Sequence, residues 1–192
     1  DTFTRAVFNQ PSTNYIKIVQ SANGTVPLYT ASKGYGYTDT DGIDLSTNNR
    51  GILSGNDEIY DQFIGAKDLN SDGTTADIVF RIDVTNGQYM FVAAGGDAAG
   101  THTSTIEVRD GSLGSFIPLV SSVTHAANNF FRVEFSNKVV PPGDGLGTDP
   151  VFLTSITSPT LTVASDFIEV RQARVPPNQG GDLNLLEIWK VG

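Results

Sequence analysis

Apolar and polar residues alternate with a period of two along most of the chain. In residues 78–84, Ile78, Phe80, Ile82 and Val84 share one face while Arg81 and Asp83 take the other, which predicts a half-buried strand. Asn86-Gly87 follows, and a β-rich run resumes at residues 88–93. The pair predicts a tight hairpin, because both residues accept the positive φ that such a turn requires. Further strands are predicted at residues 3–8, 15–19, 104–109, 116–119, 130–135, 160–163, 167–171 and 183–191. All are short and separated by Gly, Asn, Asp and Pro clusters, the pattern of an antiparallel sandwich or barrel. A helical signal is confined to residues 56–64, where Asn56 or Asp57 would cap one short turn. Tyr89 and Phe91 read as packing residues. Trp189 reads as packed too, on the face it shares with Leu185, Glu187 and Val191. The Gly- and Pro-rich residues 141–150 read as a long loop, because the segment after them is too short for a core of its own. The expectation is one all-β domain over residues 1–192.

Composition narrows the chemistry. With no cysteine in 192 residues, a disulfide scaffold, a thiolate zinc site, a cysteine nucleophile and an iron-sulfur cluster are excluded. No apolar run approaches the roughly 18 residues of a membrane-spanning helix, so no membrane partner is expected. The net charge is −9, and the 12 basic residues are scattered without a run or stripe, which argues against nucleic acid as a partner. The acid is mostly Asp, 16 against 5 Glu, a bias toward turns, caps and hard-cation sites. An Asp at position 1, with neither an initiator Met nor a signal segment, leads us to expect a mature or excised part of a longer secreted protein.

Several blocks, in order, carry a resemblance. They are Lys33-Gly34-Tyr35-Gly36-Tyr37, Asn49-Arg50-Gly51, Asp61-Gln62-Phe63-Ile64, the segment from Phe80 through Asn86-Gly87 to Tyr89, Gly95-Gly96-Asp97, and Leu183-Asn184-Leu185-Leu186-Glu187-Ile188. Together they resemble the malectin-like, galactose-binding-type β-sandwiches attached to rhamnogalacturonan acetylesterases and related polysaccharide-degrading enzymes. The resemblance implies a jelly-roll β-sandwich of two antiparallel sheets that binds a polysaccharide or oligosaccharide. The ligand would sit on loops at one end or along a concave face, and we expect a monomer covalently linked to a catalytic domain in a secreted parent protein. Residues 68–77 are longer and more acidic than that pattern, and residues 139–150 are an insertion relative to it.

Sugar rings present apolar C–H faces to aromatic side chains, while carboxylates and amides take the hydroxyls. Tyr35 and Tyr37 flank Gly36 and sit two apart, so in an extended segment they share a face and are the first choice for a stacking platform. Tyr29 and Tyr60 rank behind them. Asn178, Gln179 and Asp182, in the loop before the closing strand, are expected to bond hydroxyls; the resemblance implies a sugar-contacting carboxylate at Asp182. Asp97, with His102 near it, would line the same end. Asp68, Asn70, Asp72 and Gly73 match the opening of a calcium loop, although Val79 stands where an EF-hand needs its bidentate Glu, and Asp39, Asp41 and Asp44 form a second close acidic cluster. A structural calcium at either loop is therefore an expectation, weighed against a solvated Asx turn.

Catalytic patterns are sparse. The two histidines, His102 and His125, stand in no His-Glu-x-x-His context, and no serine has glycine two residues to either side. Glu107, Glu134, Glu169 and Glu187 fall on strands, alternating as exposed residues would. A non-catalytic carbohydrate-binding module is the leading expectation, with a structural or adhesive module and a small polysaccharide lyase or hydrolase as rivals.

Overall fold

A computed structural model describes residues 3–8, 16–18, 28–39, 47–49, 62–64, 78–97, 100–140, 151–173 and 183–192; of 3–8, 16–18, 39, 47–49, 62–64 and 97 it describes the backbone only. Among these residues every regular element is a strand. They are β1 (Phe3–Phe8), β2 (Ile16–Ile18), β3 (Tyr35–Asp39), β4 (Thr47–Asn49), β5 (Gln62–Ile64), β6 (Ile78–Asp83) and β7 (Gly87–Asp97). Next in the chain are β8 (His102–Asp110), β9 (Ile117–His125), β10 (Asn129–Glu134), β11 (Val151–Thr157), β12 (Leu161–Val163), β13 (Phe167–Ala173) and β14 (Leu185–Val191). One sheet runs β11-β10-β7-β14-β1-β2, with β12 also on β7, and the other runs β3-β6-β13-β8-β9; β4 and β5 pair with each other. Apart from the parallel pairs β1–β2 and β10–β11, neighbours are antiparallel. The chain is an all-β sandwich.

Alternation builds the core between the sheets. Ile78, Phe80 and Ile82 of β6, Ile106 and Val108 of β8, and Ile168 and Val170 of β13 meet Tyr89, Phe91 and Ala93 of β7 and Leu186 and Ile188 of β14. The opposite positions of the seven-stranded sheet form a second cluster, in which Val92, Ala94, Phe130, Leu185 and Trp189 are buried with Phe135 and Val140. Trp189 thus packs on the outer face, as its alternation with Glu187 indicated. Its Nε1 donates to Glu187 Oε2 at 2.9 Å, and Lys138 Nζ lies 3.9 Å from its ring centroid.

Two local expectations are corrected. Residues 78–83 and 88–93 are strands, but they do not form a hairpin: β6 pairs β3 and β13, whereas β7 lies in the other sheet. Asn86 does not take the positive φ that a two-residue hairpin needs, and its Oδ1 instead accepts from Asp166 N at 3.0 Å. The turn therefore crosses between sheets, and Lys190 Nζ clips it by donating to Thr85 Oγ1 and Asn86 O. The helical turn expected at residues 56–64 is overturned at its end, where residues 62–64 pair with β4; residues 56–61 lie outside the described residues.

The same end of the sandwich holds Asp110, whose Oδ1 accepts from Ala164 N, Ser165 N and Ser165 Oγ. Partial desolvation pushes this carboxyl up, but the hydrogen bonds outweigh it and hold it below the ordinary carboxylate range. A lowered folded-state value stabilises the fold above the unfolded carboxyl's pKa of about 3.9, and the contribution fades as pH falls through the lowered value. Urea midpoints of Asp110→Asn should therefore lie below wild type at pH 7, with the two proteins converging toward pH 2; parallel curves would refute this.

Candidate functional site

The outward positions of the five-stranded sheet carry the richest chemistry among the described residues. Register puts Arg81 of β6, Glu169 of β13 and Arg109 of β8 in one row across three strands, and Arg171 and Glu107 side by side in the next. Arg109 Nε donates to Glu169 Oε2 at 2.7 Å, Arg171 Nε donates to Glu107 Oε2 at 2.7 Å, and Arg81 Nε donates to Asp83 Oδ1 at 2.9 Å. Three aromatic rings complete the array. The Arg81 guanidinium lies 3.7 Å from the Phe167 centroid and 4.2 Å from that of Tyr29, and both Arg109 and Arg171 lie 4.2 Å from that of Phe116. All three rings are half-buried, and Glu169, at the centre, is buried.

Gly36 makes the Tyr29 contact possible. It occupies the outward position of β3 opposite Arg81, with φ of 141°, and a Cβ there would stand 2.4 Å from Tyr29 N. Without a side chain at that position, residues 28–30 run against β3, held by Tyr29 N donating to Tyr37 O at 3.0 Å. The Tyr29 hydroxyl reaches Asp83 Oδ2 at 2.9 Å. Partial desolvation and then this bond and the Asp83 charge raise the Tyr29 phenol above its ordinary value, so the hydroxyl stays a donor through neutral pH.

The platform expected from Tyr35 and Tyr37 is corrected. Their spacing does put both on one face, but that face is the core's. Tyr37 pairs in register with Phe80, their ring centroids 5.3 Å apart and at 72°, and only 1% of Tyr37 is exposed. Tyr35, opposite Ile82, packs half-buried against the same cluster. The Tyr37 hydroxyl is buried and has no hydrogen-bond partner among the described residues. Burial raises its pKa far above the ordinary phenol range. Tyr37→Phe should leave stability unchanged or raise it by up to about 1 kcal/mol, because it deletes an unsatisfied polar atom; a loss beyond about 1 kcal/mol in urea unfolding would contradict this packing role.

The remaining expected residues divide by position. Asp39 ends β3, and its backbone pairs with Val79; Asp97 ends β7, and its backbone pairs with Asn129. Gln172 pairs with Ile78, His102 with His125, and Leu185 with Ala94. The ends of β3, β7 and β13 and the starts of β6, β8 and β14 therefore share one end of the sandwich. Asp41, Asp68, Asn70, Asp72, Asn178, Gln179 and Asp182 lie outside the described residues. No group of three or more His, Asp or Glu among the described residues is arranged to hold a metal ion. His102 stacks on His125 at that end with centroids 6.1 Å apart, and Ser104 Oγ lies 3.2 Å from His125 Nε2. Both Ser104 and His125 are buried.

Arg81 and Asp83 were legible as outward residues, but the array they belong to was not. The missed residues are Phe116, Phe167, Arg109 and Arg171, and Glu107 and Glu169 were seen only as exposed carboxylates. Glu169 and Glu187 are buried instead, one among arginines and the other beside Trp189. The signal available was the alternation Phe167-x-Glu169-x-Arg171 facing Glu107-x-Arg109.

No family model and no curated protein matches the chain. Among solved structures it is similar to the Bacillus subtilis protein YxiM, with a TM-score of 0.52 and 15% identity over 100% of this chain and 40% of that one. It also aligns with the isomalto-dextranase of Arthrobacter globiformis T6 complexed with panose, with a TM-score of 0.35 and 18% identity over 81% of this chain and 21% of that one. The YxiM likeness shows a shared β-rich fold, in a chain more than twice as long. It does not by itself show membership of the malectin-like family.

Proposed function

We propose that the chain is a non-catalytic carbohydrate-binding module that holds a larger secreted protein on polysaccharide. One observation supports this reading above the rest: half-exposed rings, guanidinium groups and carboxylates interleave on the solvent face of the five-stranded sheet. Saccharides are bound by such mixtures, the rings taking C–H faces and the planar or charged groups taking hydroxyls. Strands and stacked ion pairs hold these groups in place before ligand arrives, which lowers the ordering cost of a shallow site. Affinity electrophoresis in polysaccharide-containing gels tests the reading. Retardation by at least one polymer is expected, and free migration in every gel would refute it.

A second reading, a structural or adhesive module, is favoured by a different observation. Strand β11, at the edge of the seven-stranded sheet, has no charged residue, and Val151 and Leu153 on it are exposed. Uncharged apolar edges of this kind invite pairing with another strand. Concentration-dependent association in sedimentation, abolished by Leu153→Lys, would favour it.

A further inference from the structure

Resting on that reading, we infer that the ligand of the five-stranded sheet is an uncharged polysaccharide that runs across the strands.

The charge argument comes first. Three arginines on this face are matched by three carboxylates: Arg81 with Asp83, Arg109 with Glu169, and Arg171 with Glu107. Each guanidinium also lies against an aromatic ring. Among the described residues the face therefore presents no net cation to a uronate or sulfate ester. The whole chain carries −9, so a polyanion approaching it meets repulsion rather than steering. A hydroxyl, by contrast, can donate to a carboxylate oxygen or accept from a guanidinium N–H without either group losing its ionic partner.

Shape is the second argument. Arg81 and Arg109 flank Glu169 on neighbouring strands, so they stand two strand spacings apart, roughly 10 Å. Tyr29 and Phe167 lie against Arg81, and Phe116 lies against Arg109 and Arg171. The two arginines thus root two stations on β6 and β8 along a line that crosses β13, so a ligand reaching both covers two strand spacings. A chain that engages both stations does so with more than one sugar residue.

Affinity electrophoresis separates the outcomes. Gels would contain mixed-linkage β-glucan, galactomannan, galactan or arabinoxylan as uncharged polymers, and polygalacturonate, alginate or carrageenan as anionic ones, each at 20 and 200 mM NaCl. The inference expects retardation in one or more uncharged gels, unchanged by salt and relieved by oligosaccharides but not by free monosaccharide at the same sugar concentration. Retardation in an anionic gel that fades at the higher salt would overturn the inference and leave the binding-module reading standing. Relief by monosaccharide would overturn the two-station geometry. Free migration in every gel would overturn the reading itself. Arg109→Lys keeps the charge and loses the planar guanidinium; it is expected to weaken retardation at least fivefold, and full retardation would count against the inference.

Discussion

Replacing Ser158 by Ala should destabilise the fold by about 1–3 kcal/mol. Along one edge β7 is shared by two strands, β10 opposite residues 93–97 and β12 opposite residues 87–89, so the backbone between them lacks a ladder partner on that side. Phe91 falls in that gap and is fully buried. Its N–H donates to Ser158 Oγ at 2.7 Å, while the same hydroxyl donates to Pro159 O at 2.9 Å and Ser158 N donates to Glu134 O at 2.9 Å. Ser158 thus stitches the gap with a side chain where no strand fits. Alanine keeps the fit and removes the acceptor, leaving a buried amide unsatisfied, which costs more than an ordinary hydrogen bond is worth. Urea unfolding monitored by Trp189 fluorescence gives the difference directly, and a loss below about 0.5 kcal/mol would show that another group satisfies the Phe91 amide.

The second large effect concerns binding. Phe116→Ala should weaken glycan retention by at least about tenfold, or about 1.4 kcal/mol. The ring supports two guanidinium groups at once, Arg109 and Arg171. Its removal takes away one stacking surface and lets both arginines swing from the geometry that their carboxylates alone do not fix. Tyr35→Phe is the useful control, because its ring packs against the core and lies outside the array. Equal losses from both variants would mean a global effect rather than a site, and retention unchanged by Phe116→Ala would remove the ring from the site.

How much of the fold was legible depends on what alternation can encode. The two faces of residues 78–84 and of the last strand were readable because each position's neighbours two residues away share its environment. Sheet membership was not readable, since residues 78–83 and 87–97 alternate equally well whether they pair with one another or with distant strands. Asn86-Gly87 misled for that reason: the motif favours a turn, and only long-range pairing with β13 and β14 decides between a hairpin and a crossing. Tyr35 and Tyr37 were correctly placed on a common face, but Gly34 and Gly36 gave the segment the look of a loop. In the fold, Gly36 is the outward position of a strand, left bare so that residues 28–30 can lie against it. The array was hidden for a related reason. Arg109 and Phe116 flank the turn between β8 and β9, but Arg171 reaches them only through the antiparallel register of β8 and β13, and no local spacing in the sequence joins it to them.

The central claim is that the solvent face of the five-stranded sheet, rather than the loop end near Asp97 and His102, receives the glycan. Arginine side-chain N–H signals report on it without mutation. In two-dimensional proton–nitrogen NMR spectra, titration with oligosaccharides cut from the retarding polymer should shift the Nε–H resonances of Arg81, Arg109 and Arg171 together, saturably, while backbone amides of residues 100–104 and 126–129 stay in place. Shifts confined to those amides, with the three arginine signals unmoved, would put the site at the other end and contradict the account.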